Sequence, residues 1–252
     1  MTTLEEFGID ATRMSGDALL ARFDARIKTI LADVQRSPVW AAVMSNDEPL
    51  DVVIDVLREI YLEIVMYQPD AIEGAIAAIA QFPRTMPVIW FEEMLHHQVE
   101  EFDHGEMALR DYIALGGDEQ EARARRQSPS AFAVAAMWHN IVHDRDPFLY
   151  LGAVYLFEGL TPIITGQVKD HLNNRIGSFQ GLEFIGHHAT ADLEHTRQIQ
   201  QLIREIVAHY PDNVESLIYG FEYFAHVYPL PVWTAALQRA RRRPTIARLA
   251  AE

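Results

Sequence analysis

The sequence predicts an all-α protein folded as a single domain, and three observations support this prediction. Apolar residues recur at three- and four-residue steps along nearly the whole chain, which is the periodicity of amphipathic helices. Strand-like alternation is scarce, and the sequence contains no Asn-Gly or Asp-Gly hairpin signal. Prolines and capping residues stand where helices would begin or end, and no linker or low-complexity segment divides the 252 residues into two domains.

Capping residues and glycines set most of the predicted helix boundaries. Ser15 is a favourable N-cap for the first helix. The pairs Ser128-Pro129 and Asp146-Pro147 place a capping side chain before a proline at the first helical position. Gly116-Gly117 closes a long helix. The predicted helices cover about 15–36, 49–67, 70–81, 87–115, 129–143, 147 through at least 158, 179–210, 212–228 and 231–242.

Two prolines fall inside apolar stretches and affect these boundaries. Pro69 is expected to stop the second helix, because proline lacks the N–H that continues the helical ladder. Pro162 is expected to kink the long helix in which it lies. The core is predicted over about 15–228 of a single domain spanning 1–252, and 229–252 is predicted to form a basic helix and tail. The basic residues predicted to be solvated there are Arg239, Arg241, Arg242 and Arg243.

Composition and charge exclude several classes of protein. The chain has no cysteine, so a disulfide scaffold, a cysteine nucleophile and a thiolate metal site are excluded. Any metal must be held by histidine, carboxylate or water. Asp and Glu number 36 against 21 Lys and Arg, a net charge of −15 that opposes binding to nucleic acid or to an anionic membrane. No apolar run reaches the ~18–20 residues of a membrane span, and the first residues lack signal-peptide features, so a cytoplasmic location is expected.

The strongest candidate motif lies near the end of the predicted core. His188, Asp192 and His195 stand at i, i+4 and i+7, so on one continuous helix their side chains share a face. Two imidazoles and a carboxylate are suitable ligands for iron, manganese or zinc. Aliphatic neighbours indicate that the segment is largely buried, where Asp and His are costly without partners. The alternative is an exposed polar stripe without a ligand role.

Two earlier segments carry further candidate ligands. His97 and His104 are seven residues apart, two turns along one helix face, and Glu101 stands between them. Glu158 lies in an apolar stretch with no Lys or Arg within a turn, and a buried carboxylate must stay protonated, pair with a cation or bind metal. The alternatives are a solvated face for the first segment and a core carboxyl for the second. Together the three segments offer six ligands, enough for two metal ions in a helical bundle.

This combination resembles the ligand pattern of the haem-oxygenase-like dimetal (diiron) oxidases and oxygenases. In that family a final core helix carries His-x3-Asp-x2-His, an earlier helix carries two ligands six residues apart, and a middle helix carries one Glu. The resemblance covers roughly 15–228 and implies a haem-oxygenase-like bundle. The metal ligands that it implies are His97, His104, Glu158, His188, Asp192 and His195.

One position departs from the family pattern. His97 stands where the family commonly has Glu, and a neutral imidazole removes both a negative charge and a bridging carboxylate. Glu101 is the nearest substitute, because it lies three residues before His104 and nearly on the same face. Glu63 is a weaker candidate for an additional ligand.

A ferritin-like bundle is the alternative fold. Its order of Glu, Glu-x2-His, Glu and Glu-x2-His is approximated here, but His188 would then have no role and the last carboxylate is Asp rather than Glu. We therefore prefer the haem-oxygenase-like fold. The approximate ferritin-like ligands are Glu63, Glu101, His104, Glu158, Asp192 and His195.

The resemblance implies a non-haem diiron oxidase or oxygenase. Such an enzyme uses two Fe(II) ions per chain and O2, with an external reductant as a further candidate, to oxidise a small organic substrate derived from an amino acid or a fatty acid in specialised metabolism. The choice between iron and manganese stays open, as does a homodimer, and neither nucleic acid nor membrane is expected as a partner. The alternative is a non-catalytic helical protein of the same fold that binds a metal or another ligand.

Overall fold

The computed structural model describes residues 14–177, 180–190 and 192–242, and the regular elements within these ranges are helices. The predicted all-α class is therefore confirmed. The α-helices are α1 (Gly16–Arg36), α2 (Pro38–Met44), α3 (Leu50–Ile79), α4 (Val88–Glu101), α5 (His104–Ala114), α6 (Glu119–Ala124), α7 (Pro129–His143), α8 (Phe148–Ile176), α9 (Glu183–His188), α10 (Asp192–His209), α11 (Val214–Val227) and α12 (Leu230–Ala240).

Serine and aspartate side chains cap several of these helices. Ser15 accepts a hydrogen bond from the backbone N–H of the third residue after it, and Ser128 does the same at the start of α7, so both predicted N-caps are confirmed. Ser37 and Asp118 cap α2 and α6 in the same manner. These two short helices are absent from the sequence-based prediction, although their capping residues follow the same rule.

The predicted break at Pro69 is wrong, because α3 continues through it from Leu50 to Ile79. A proline removes one backbone hydrogen bond, whereas α3 packs along its length against α5, α7 and α12. In addition, the amide of Gln127 donates to the carbonyl of Met66, one turn before the proline. Packing of the buried face therefore outweighs the lost bond. Helix α8 likewise continues past Pro162.

Two predicted long helices are interrupted instead. The segment predicted over 87–115 divides at 102–103 into α4 and α5, and the segment predicted over 179–210 divides after His188 into α9 and α10. The predicted start at Phe179 lies outside the described residues. Both interruptions adjoin candidate ligands, so these side chains are presented from helix ends rather than from one continuous face.

Helix α8 is the central helix and carries Glu158. It packs against α11, α10, α9 and α1. Its span Phe148–Arg175 is long and apolar enough to cross a membrane, but 83% of its most apolar window is buried inside the protein, as in the core helix of a soluble protein. Glycines permit its close contact with α11: a Cβ at Gly152 would lie 1.9 Å from the carbonyl oxygen of Leu217, and one at Gly220 would lie 1.8 Å from that of Leu149.

The C-terminal basic cluster is only partly solvated, which corrects the prediction for Arg239. Its guanidinium on α12 forms ion pairs with Glu59, at 2.8 Å, and with Glu63, both buried on α3. Arg241 and Arg242 are exposed, and Arg243 lies outside the described residues. Helix α12 also packs on α2 and α3, so the chain after 228 contributes a helix to the packed body.

Candidate metal centre

Two groups of buried ligand side chains meet between α4, α5, α8, α9 and α10. Within each group, one ligand atom from every residue lies within 4.8 Å of the others. Glu101, the last residue of α4, belongs to both groups. The first group comprises His97, Glu101, Glu158 and His195, and the second comprises Glu101, His104 and His188.

The first group joins two carboxylates to two imidazoles. His97 Nε2 lies 3.1 Å from Glu158 Oε1 and 3.8 Å from Glu101 Oε1. His195 Nδ1 lies 3.5 Å from Glu158 Oε2 and 3.8 Å from Glu101 Oε1. Atoms that each lie ~2.0–2.2 Å from a metal ion are themselves about 3.3–3.6 Å apart in a tetrahedral site. The observed separations are close to this spacing.

Three polar atoms of the first group are buried without a hydrogen-bond partner. They are Glu101 Oε1, Glu158 Oε2 and His195 Nδ1, and all three face the space between the ligands. Buried polar atoms almost always have partners, because an unsatisfied one costs about 1–3 kcal/mol. A bound cation would satisfy all three atoms at once, so this group fits a metal ion.

The second group presents imidazole nitrogens to the other oxygen of Glu101. His104 Nδ1 lies 2.7 Å from Glu101 Oε2, and His188 Nε2 lies 3.1 Å from His104 Nδ1. His188 Nδ1 lies 2.7 Å from the carbonyl oxygen of Phe184. Because a carbonyl can only accept, Nδ1 carries the proton and Nε2 keeps a lone pair directed at the group. Glu101 thus offers one oxygen to each group.

Neighbouring side chains orient the candidate ligands. His195 Nε2 donates to Glu100 Oε2 at 3.0 Å, which turns Nδ1 towards the first group. The amide of Gln98 lies 3.0 Å from His97 Nδ1 and 3.0 Å from the hydroxyl of Tyr150. Contacts of this kind fix the ring orientation and tautomer of metal-binding histidines.

Helix α9, which carries His188, is held at its first turn by α5. The buried carboxylate of Asp111 accepts hydrogen bonds from the backbone N–H groups of Glu183, at 2.9 Å, and Phe184, at 2.8 Å. Burial raises the pKa of Asp111, while these backbone bonds oppose the shift. Tyr61 donates to the carbonyl of Gly181 just before the helix. Contacts at the start of α9 therefore set the position of His188, its last residue.

Charges within the centre shift the pKa of its members in opposite directions. Burial alone would raise the pKa of Glu158, but His97 and His195 lower it to about 2. Burial alone would lower the pKa of His195, but Glu158 raises it to about 9. For His188, burial and then the charge of His104 lower the pKa to about 4. At neutral pH the metal-free centre therefore holds an ionised Glu158 beside protonated imidazole, and a metal would replace that proton.

The structure brings five of the six principal candidates together and shows how they differ from the expected arrangement. His97 and His104 lie in different groups, since the helix expected to present both is interrupted between them. His96, which is rotated by about 100° from His97 on the same helix, is 73% exposed at its side chain. The side chain of Asp192 lies outside the described residues. The principal candidates brought together are His97, His104, Glu158, His188 and His195.

The two additional candidates have different positions. Glu101 lies at the centre of the ligand set. Glu63 lies elsewhere: its carboxylate accepts from Ser128 at 2.6 Å and from Ser130 at 3.0 Å, and it pairs with Arg239. These contacts occupy the carboxylate and do not place it in either group.

The residues that orient the ligands carry no recognisable motif in the sequence. The side chain of Glu100 is 44% exposed, yet its carboxylate accepts a hydrogen bond from His195 Nε2. The position of Glu100 next to Glu101 does not by itself indicate that it orients His195. Gln98, adjacent to His97, and Asp111, near the end of α5, also gave no recognisable motif.

Comparisons with known proteins bear on the family and the fold. The profile of a family described as iron-containing redox enzymes matches residues 80–228. A solved structure from Shewanella denitrificans OS217, described as a domain of unknown function with a heme oxygenase-like fold, has a TM-score of 0.74 and 18% identity, and the match covers 88% of this chain and 93% of that chain. No curated protein matches the chain. The predicted haem-oxygenase-like fold is therefore confirmed over the ferritin-like alternative.

The family match and the candidate centre coincide along the sequence. The matched range, 80–228, is more than half of the chain, and it contains every residue of both ligand groups. The chain belongs to the family of iron-containing redox enzymes.

Proposed function

We propose that this protein is an O2-dependent redox enzyme that binds two iron ions, one at each ligand group, and oxidises a small organic substrate. The observation that carries the proposal is the position of Glu101, whose two carboxylate oxygens face different groups. A shared carboxylate of this kind is a feature of dinuclear centres built in helical bundles. The family's description supports iron as the metal and redox chemistry as the activity.

The same ligand set accounts for the unusual histidine at position 97. His97 contributes an imidazole where the family commonly has Glu, and Glu101 supplies the bridging carboxylate one turn later on the same helix. We retain Asp192 as a proposed ligand because it stands in α10 three positions before His195. The full proposed set is His97, Glu101, His104, Glu158, His188, Asp192 and His195.

Bound iron would supply electron transfer and oxygen activation, which no side chain provides. The chain's own groups hold the ligands ready for it. Glu158 stays ionised at neutral pH, and Glu100 accepts the Nε2 proton of His195 so that Nδ1 faces the site. The rings of Trp138 and Phe157 line a small cavity beside the first group. These apolar walls exclude bulk water from the reacting atoms.

Anaerobic reconstitution with Fe(II) tests the metal site. We expect close to two irons per chain, with less in His188→Ala and Asp192→Ala. A matched pair of variants tests which side of α4 faces the metal centre. His97→Ala should lose iron, whereas His96→Ala, which changes the exposed neighbouring residue, should retain it. Wild-type protein that takes up no iron would refute the proposal. Equal behaviour of the two α4 variants would refute the role of His97.

Oxygen consumption tests the activity. The iron-loaded protein is screened with amino acids and fatty acids, with and without a reductant, and we expect O2 uptake that depends on one substrate class. Iron binding with slow oxidation that no substrate accelerates would instead support the non-catalytic metal-binding alternative. We also propose a cytoplasmic location, supported by the acidic charge and the burial of α8.

A further inference from the structure

A small cavity lies beside the first ligand group. Its volume is about 40 Å³, and three of its walls are the proposed ligands His97, Glu101 and Glu158. Much of the remaining wall is apolar or aromatic, including Trp138 and Phe157. Since one water needs at least ~10–15 Å³, the cavity accommodates a few water-sized groups. A whole organic substrate does not fit inside it.

A larger groove opens next to this cavity. It has a volume of about 720 Å³ and lies between α3, the junction of α4 with α5, and the segment from α6 to the start of α7. Ile76 and Phe102 line it and are 43% and 75% exposed, which is unusual for large apolar side chains. The volume falls within the ~300–1,000 Å³ of small-molecule sites.

Two side chains of α3 separate the groove from the cavity. Gln68 and Ile72 line both spaces. Gln68 is buried, and its amide donates to the backbone carbonyl of Glu101 at 3.4 Å, a long hydrogen bond at the end of α4. On the α5 side, a Cβ added at Gly105 would lie 3.5 Å from the Cβ of Gln68. The partition is therefore one layer of side chains thick.

We propose that the substrate docks in this groove and passes only its reacting end between Gln68 and Ile72 to the metal centre. This inference rests on the proposed function. It follows from the two volumes: the groove accommodates the body of a small molecule, and the inner cavity accommodates a few atoms beside His97, Glu101 and Glu158.

The walls define the chemical class of the substrate. On the groove rim, Arg123 is paired with Glu106 at 2.8 Å and Arg125 with Glu59 at 3.3 Å, so these cations are already neutralised. Among the described residues that line the inner cavity, only the proposed ligands are charged. The site therefore fits a mainly apolar molecule with an uncharged reacting end.

A second apolar chamber is the competing route. It has a volume of about 70 Å³ and is lined by residues that include Ile164 and Phe184. The Phe184 ring stacks near His188, with centroids 3.9 Å apart, and thus stands between this chamber and the second group. Unlike the inner cavity, this chamber has no proposed ligand among the described residues that line it.

The absence of cysteine provides a test that does not depend on metal. Ala75→Cys places a single thiol in the inner cavity, and Ala71→Cys is a second position should the first variant fold poorly. The thiol is labelled in full-length, metal-free protein with methyl methanethiosulfonate, and the rate is followed by intact mass. The same measurement is made after adding Gln68→Ala, Ile72→Trp or, in the competing chamber, Ile164→Phe.

We expect Gln68→Ala to accelerate labelling and Ile72→Trp to slow it, each by about tenfold, while Ile164→Phe leaves the rate unchanged. The anionic reagent 2-sulfonatoethyl methanethiosulfonate should react with the buried thiol more slowly than the uncharged reagent does. The ratio of the two rates should be larger in the protein than with free cysteine. The proposed route would be overturned if neither Gln68→Ala nor Ile72→Trp changed the labelling rate, or if Ile164→Phe lowered it. If the ratio of the two reagents' rates were the same in the protein as with free cysteine, the proposed substrate class would be overturned. Because no metal is present, these results are independent of iron binding.

Discussion

Replacing the shared carboxylate by its amide, Glu101→Gln, should weaken the binding of both metal ions at once. The amide keeps the size of the side chain but loses the negative charge and replaces one oxygen with a group that only donates. In the present structure one oxygen of Glu101 lies 2.7 Å from His104 Nδ1 and the other lies 3.8 Å from His195 Nδ1. The substitution therefore removes a ligand from one group and weakens the other, whichever way the amide is turned.

The magnitude follows from the number of sites affected. Changing a residue that merely orients a ligand commonly costs ~10–100-fold in metal affinity. Loss of a direct ligand should reach at least the upper end, about 100-fold, at the group that the amide nitrogen faces, and the weaker carbonyl ligand should cost about 10-fold at the other group. The product of the two binding constants should then fall by about 1,000-fold. A residue that served one group alone would change only one constant.

The assay is an anaerobic Fe(II) titration against a competing chelator, with both binding steps resolved. Glu92→Gln is the matched control, because it makes the same change at an exposed position on the same helix. Helix content measured by circular dichroism should be equal in both variants. The shared role of Glu101 is refuted if Glu101→Gln binds two irons with wild-type affinity, or if only one of the two binding steps weakens.

Three further substitutions separate orientation, helix placement and packing. Glu100→Gln should weaken iron at the His195 group by ~10–100-fold and spare the other binding step in the same titration; equal weakening of both steps would argue against its orienting role. Asp111→Ala leaves two backbone N–H groups without their acceptor, so the free energy of unfolding measured in urea should fall by roughly 2–4 kcal/mol. Iron at the group that contains His188 should also bind more weakly, and an unchanged unfolding midpoint would contradict this. Gly152→Ala forces a Cβ against a backbone carbonyl and should cost at least about 1–3 kcal/mol in urea unfolding. Gly166→Ala, with no neighbour within 4 Å of its added Cβ, should be neutral or slightly stabilising, and equal effects of the two changes would refute the packing argument.

The sequence was sufficient to predict the fold class and most members of the centre, because both depend on local patterns. Helical periodicity identifies helices, and a buried polar residue such as Glu158 in an apolar stretch indicates a partner whatever the tertiary structure. The pairing of ligands was not predictable in the same way. The pattern around 102–103 is compatible with a continuous helix, so the interruption that separates His97 from His104 has no local signal.

Long-range contacts explain the other differences. The neutralisation of Glu63 by Arg239 joins residues 176 positions apart, and neither residue is unusual in its own segment. The continuation of α3 through Pro69 depends on helices that pack against it from later in the chain. In each instance local propensity was outweighed by a partner that only the folded chain supplies.

A ligand common to two sites makes their occupancies interdependent. Under the proposed two-iron function, the first ion to bind would fix the carboxylate of Glu101 and the imidazoles opposite it, so part of the entropic cost of ordering the second site would already have been met. Loading should therefore be positively cooperative, and the reciprocal effect must be equal in free energy. At half the stoichiometric amount of iron, molecules that hold a single ion should therefore be fewer than two independent sites would give.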